Sequence, residues 1–118
     1  MNDVFEIGLL MDFYGQLLTE RQMEILDLHY NNDYSFGEIA EELGISRQGV
    51  YDNIKRGKSI LFEMEEKLGL LGKFSVQKRK AEEILELLKD INIDRLDIKG
   101  KDNIIRIKEG VEFIINKI

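Results

Sequence analysis

The chain has 118 residues, 43% of them hydrophobic and 34% charged, with a net charge of −6 at neutral pH, which suits one domain that buries its own core. It contains no cysteine and one histidine, so disulfides and thiolate zinc sites are excluded and a reducing compartment, the cytoplasm, is the natural location. Its first twenty residues hold no lysine or arginine and are interrupted by Asp3, Glu6 and Asp12, so no signal peptide, membrane anchor or membrane partner of ordinary type is expected.

Residues 3–18 read as an acidic amphipathic helix with Val4, Leu10, Phe13, Tyr14 and Leu17 among its apolar positions. Thr19 caps a second helix, about Glu20 to Asn31, with Met23, Leu26 and Tyr30 on one side, and Asn31, Asn32 and Asp33 mark a turn. Ser35 then stands three residues before Glu38, a capping box, and Phe36, Ile39, Ala40 and Leu43 recur at helical spacing. Gly44 supplies the positive φ that ends this short helix, Ile45 plugs the core, and Ser46 caps the next. Two helices joined by a tight glycine turn form a helix-turn-helix.

In the second helix of that pair, at ~100° per residue, Val50, Ile54, Gly57 and Leu61 fall on one side as core. Gln48, Asp52, Lys55, Arg56 and Ser59 fall on the other as a reading face, with Arg47 and Tyr51 at the border where a long polar-tipped side chain still reaches outward. These seven are the candidate nucleic-acid contacts. The apolar row continues through Met64, Leu68 and Leu71 in steps of four and three, coiled-coil spacing. A helix from Arg47 to Leu71 is ~37 Å long, and its far half needs a cover. Two later helices are available: Ser75 to about Ile91, capped by Ser75, with Ala81, Ile84, Leu85, Leu88 and Ile91 on one side, and Asn103 to Lys117, with Ile104, Ile107, Val111, Ile114 and Ile118. A second copy of the chain or a binding target is the alternative cover, so a homodimer is a candidate assembly. Residues 92–102 read as a loop, with a small hairpin of Leu96 to Ile98 and Ile105 to Ile107 around Gly100 as the alternative to a final helix. The architecture expected is an all-α bundle: residues 1–74 as a helix-turn-helix core with an extended reading helix, and residues 75–118 as a C-terminal helical extension packing on the same domain.

The charge is uneven. Residues 1–46 carry ten acidic residues and Arg21 as their one cation, whereas residues 47–118 carry sixteen cations against thirteen acids. A basic zone therefore begins at the reading helix and recurs at Lys73, Lys78, Arg79 and Lys80. Glu38, Glu41 and Glu42 on the preceding helix oppose a phosphate backbone if they point the same way, so affinity for nucleic acid should be modest and salt-sensitive. Catalytic arrangements are missing: His29 reads as a packing or surface residue of an amphipathic helix, no glycine-rich loop opens a helix to cradle phosphate, and Asn31 to Asp33 lack the ligand alternation of a calcium loop. Neither an enzyme, nor a metal, nor a cofactor is expected.

The runs MDFYGQLLTERQ (Met11 to Gln22) and DYSFGEIAEELGISRQGVYDNIKR (Asp33 to Arg56) closely resemble the YlxM-like family of small bacterial proteins. The resemblance continues through Glu65, Glu66, Lys67, Leu68 and Gly69 to about Phe74 and fades beyond, with Lys99 to Ile118 unfamiliar. That family is similar in its helix-turn-helix to region 4 of bacterial sigma factors, and its genes lie beside those for the signal recognition particle GTPase. The resemblance implies a regulatory or accessory role in that pathway. It carries over Ser46, Arg47, Gln48, Val50, Tyr51, Asp52, Asn53, Ile54, Lys55 and Arg56 as the family's most recognisable run. The partner expected first is DNA or RNA; the competing class is a non-catalytic protein-interaction module that docks on a signal recognition particle component.

Overall fold

The computed structural model describes residues 4–117, and among them there are six α-helices and no strand. They are α1 (Val4–Tyr14), α2 (Glu20–Leu26), α3 (Phe36–Leu43), α4 (Arg47–Leu68), α5 (Leu70–Lys89) and α6 (Ile98–Lys117). No helix among the described residues is long and apolar enough to cross a membrane. The chain divides into two compact units, one ending at Leu71 and one beginning at Gly72.

In the first unit each helix start has a local cause. Thr19 caps α2 with a full capping box, its hydroxyl accepting from Gln22 N at 3.1 Å while Gln22 Oε1 accepts from Thr19 N at 3.0 Å. Ser35 and Glu38 do the same for α3 at 3.1 and 2.8 Å. The Glu38 carboxyl is held below its ordinary pKa, chiefly because the Ser35 backbone N–H donates to the charged form. Gly44 ends α3 at φ 67°, and the Ser46 hydroxyl accepts from Gly49 N at 3.0 Å to start α4. The helix-turn-helix forms as its residues predict.

α1 stops at Tyr14 and tightens into a 3₁₀ turn, Gly15–Leu17, so Leu17 loses the helical phase and is exposed, as is Val4; Leu10 and Tyr14 are buried as expected, and Ile7 and Met11 complete the buried face. Asp3 lies outside the described residues. α2 widens into a π-helical turn, Asp27–Asn31. Asn31 Nδ2 donates to Asp27 Oδ1 at 2.7 Å, Asn32 Nδ2 to the Asp27 carbonyl at 3.1 Å, and Tyr34 N to the Leu28 carbonyl at 3.0 Å. The last two bonds draw off main-chain carbonyls that a regular turn would use. Asp33 completes the bend at φ 60°. His29 packs edge-on to Tyr30, and its Nδ1 lies 2.8 Å from the Tyr34 carbonyl; because a carbonyl only accepts, Nδ1 carries the proton.

The core of this unit is formed by Ile7, Leu10, Ile25, Leu26, Ile39, Val50 and Leu61, all fully buried. α4 runs through it. Gly57 is required by close approach: a β-carbon there would come within 2.7 Å of Leu26 Cδ1. α4 is shorter than its apolar row suggests, ending at Leu68 with Gly69 at φ 63°, so Leu68 is 51% exposed and Leu71 belongs to α5. α5 starts there, not at Ser75, because its first amides are capped from a distance. Glu65 Oε1 accepts from Leu71 N at 2.9 Å and from the Tyr14 hydroxyl at 2.7 Å, while that hydroxyl accepts from Leu70 N at 3.1 Å. Burial, then the bond to Glu65, raises the Tyr14 pKa above 10.0.

In the second unit, a 3₁₀ turn at Ile93–Arg95, capped by Asn92 Oδ1 accepting from Asp94 N at 3.1 Å, leads into α6. α6 begins at Ile98, earlier than the expected Asn103, with Asp97 Oδ1 accepting from Gly100 N at 2.7 Å. The hairpin alternative does not form. Ala81 is buried and Leu85 and Leu88 are half-buried as expected, but Ile84 and Ile91 are exposed. On α6 the inner row is Ile104, Val111 and Ile115; Ile107 and Ile114 face outward, and Ile118 lies outside the described residues. No residue of α6 is buried.

Candidate nucleic-acid interface

The capped turn at Gly44 sets the rotation of α4, and the burial of Val50, Ile54, Gly57 and Leu61 turns its opposite flank to solvent. Arg47, Gln48, Tyr51, Lys55, Arg56 and Ser59 are exposed and Asp52 is half-buried. Gln48 Nε2 donates to Asp52 Oδ1 at 3.0 Å, one turn along the helix. Arg47 lies across α3: a β-carbon on Gly37 would approach its terminal nitrogen to 2.9 Å and its guanidinium carbon to 3.2 Å. The absent side chain at Gly37 therefore gives the guanidinium its seat.

The seven predicted positions do not form one surface. Asp52, Lys55, Arg56 and Ser59 come together with Gln22 of α2 and with Ile60 around a shallow groove. Tyr51 lies on the other flank, its ring 6.4 Å from Phe36, in a second groove with Tyr30, Ile54, Lys58 and Phe62. Lys55 and Ser59 line both grooves and form the ridge between them, whereas Arg47 and Gln48 line neither. Sequence reasoning missed Gln22, Tyr30, Phe36, Lys58 and Phe62 as surface contributors. Part of the signal was present, because Tyr51, Lys55, Lys58 and Phe62 recur in steps of four, three and four beside the core row.

Electrostatically the flank carries Lys55, Arg56 and Lys58 against Asp52, which Gln48 engages. The acidic α3 residues Glu38, Glu41 and Glu42 are exposed, and Glu38 is committed to its cap. Among the described residues no group of histidine, cysteine, aspartate and glutamate has the geometry to hold a metal ion.

Residues 1–104 match the family UPF0122, described as "Putative helix-turn-helix protein, YlxM / p13 like". The chain belongs to the UPF0122 family. A UPF0122 protein of Acetivibrio thermocellus is 58% identical over 98% of both chains. Those of Desulforamulus reducens, at 47% identity over 75% of both chains, and Limosilactobacillus reuteri, at 46% over 73% of this chain and 76% of its own, match shorter stretches. UPF0122 similarity thus runs well past Phe74, and the Acetivibrio relative shares nearly all of the chain, including segments that looked unfamiliar in the sequence alone.

Proposed function

We propose that this protein is a non-catalytic, cytoplasmic regulator that binds nucleic acid through its helix-turn-helix, with Arg47, Gln48, Tyr51, Asp52, Lys55, Arg56 and Ser59 as the contact set. The observation that carries this reading is the rotation of α4: its aliphatic row is locked inward behind the Gly44 turn while its polar and cationic flank lies in solvent. The helix-turn-helix description of the UPF0122 family supports it. The resemblance to sigma region 4 and the genomic association with the signal recognition particle GTPase extend the reading to an accessory role in that pathway.

The test is a titration of the full chain against particle RNA and random DNA over a range of salt. Log affinity should fall linearly with log salt, and Lys55→Ala with Arg56→Ala should weaken binding and reduce the slope by roughly two contacts. Unchanged affinity in the double variant defeats this reading.

One observation favours the protein-docking alternative. Met11, Leu18 and Met23 line a groove rimmed by Asp12, Glu20, Glu24 and Asp27 with no cation among its lining residues, suited to a basic amphipathic segment of a particle component. Binding to purified particle protein that survives the α4 alanines and fails with Asp12→Lys supports this second reading. The exposed apolar residues of α6, Ile98, Ile105 and Phe113, support a homodimer, which sedimentation equilibrium resolves.

A further inference from the structure

The second groove on α4 has a composition that contact with a continuous duplex does not require. Tyr30, Phe36, Tyr51 and Phe62, four of the ten tyrosines and phenylalanines in the chain, line one cavity of about 360 Å³. That volume is at the lower end of small-ligand sites, which span roughly 300 to 1,000 Å³. The rings are not simply core: Tyr51 is 45% exposed and the other three are half-buried. Lys55 and Lys58 stand at the same cavity, Lys58 Nζ lying 5.9 Å from the Tyr30 ring centroid, and no carboxylate lines it. An aromatic wall with a cationic, acid-free rim complements a planar, uncharged ring flanked by anions.

We propose that this groove receives a single unstacked base, stacked on Tyr51 with its flanking phosphates at Lys55 and Lys58, so that the preferred ligand has single-stranded or looped nucleotides. The proposal rests on the nucleic-acid reading above and deepens it. A paired, stacked duplex offers base edges and backbone but no π-face, so nothing in it fills an aromatic cavity. A splayed base offers two faces, and stacking on an aromatic side chain is tolerant of sequence because every base has one. Lys55, on the ridge between the two grooves, places the stacked base next to the polar flank of α4.

The experiment titrates the full chain with two hairpins of unrelated loop sequence, each carrying 2-aminopurine in the unpaired loop, and with fully paired duplexes carrying it in the stem. Looped ligands should bind about tenfold more tightly than duplexes, the size of one stacking contact, with 2-aminopurine fluorescence quenched in the loop alone. Tyr51→Leu should abolish that preference and the quenching, bringing looped ligands down to the affinity the same variant has for duplexes, and Tyr51→Phe should retain both. Equal affinity of the wild-type chain for loop and duplex, lowered alike by Lys55→Ala and Arg56→Ala, overturns the stacking groove and leaves the general nucleic-acid reading standing. Binding to neither class overturns both.

Discussion

Replacing Gly57 by alanine sets two effects of known sign against each other. Alanine is favoured over glycine inside a helix by about 1 kcal/mol. At Gly57, however, the added β-carbon would lie 2.7 Å from Leu26 Cδ1, 3.4 Å from Leu26 Cγ and 3.9 Å from Gln22 Cβ. Carbon pairs are at their optimum near 3.5 to 4.0 Å, so the first contact overlaps by roughly 1 Å. Leu26 is 0% exposed; its methyl cannot retreat into solvent, and either it leaves its rotamer or α2 lifts from α4. Overpacking of this kind costs about 1 to 3 kcal/mol. The net expectation is a loss of about 1 kcal/mol, a melting temperature lower by roughly 4 °C. Gly110 is the control: it lies inside α6, and a β-carbon there meets nothing within 4 Å, so Gly110→Ala should raise helix stability by about 1 kcal/mol. Thermal and urea unfolding of the two variants, followed by far-UV circular dichroism, measures both signs. Combining Gly57→Ala with Leu26→Ala should cost less than the sum of the single changes, because the shortened side chain vacates the clash. If Gly57→Ala stabilises as much as Gly110→Ala, α2 does not pack on α4 at this distance and the argument for that glycine fails.

Tyr14→Phe should destabilise the first unit by about 1 to 2 kcal/mol, measured by urea unfolding, because Leu70 N loses its acceptor and Glu65 its phenolic donor. The raised Tyr14 pKa adds a sign on the alkaline side: its contribution is fully present below pH 10.0 and is lost as pH rises through the folded value, so the wild-type stability should fall there more steeply than that of Tyr14→Phe. On the acid side, the lowered Glu38 pKa contributes stability that is present above pH 4.5 and lost as pH falls through the folded value, and Glu38→Gln should flatten the acid limb of the stability profile. Gly44→Ala, which forces a β-carbon into the left-handed region at φ 67°, should cost about 1 kcal/mol in the same unfolding assay.

The features of this protein that its sequence determined by itself are those whose partners lie within four residues. Thr19 and Ser35 cap helices with side chains three positions away, Gly44 reverses the chain by its own φ, and the rotation of α4 follows from an apolar row spaced at the helical period. The helix-turn-helix and the outward flank bearing Lys55 and Arg56 were legible for that reason. Tertiary structure alone decided what depends on residues far apart in the chain. The row from Val50 to Leu71 reads as one helix, yet it breaks at Gly69 because Tyr14 and Glu65, 51 positions apart, supply the acceptors that start α5 in place of a local cap at Ser75. The phase of α6 was likewise undecided by a helix with isoleucines on several sides. At the candidate interface, periodicity placed Tyr51 on α4, but only folding brought Tyr30 from the π-helical turn and Phe36 from α3 into the same groove. A helix's own residues specify which of its faces is polar; the residues that close a groove against that face come from other segments, and only the folded chain brings them together.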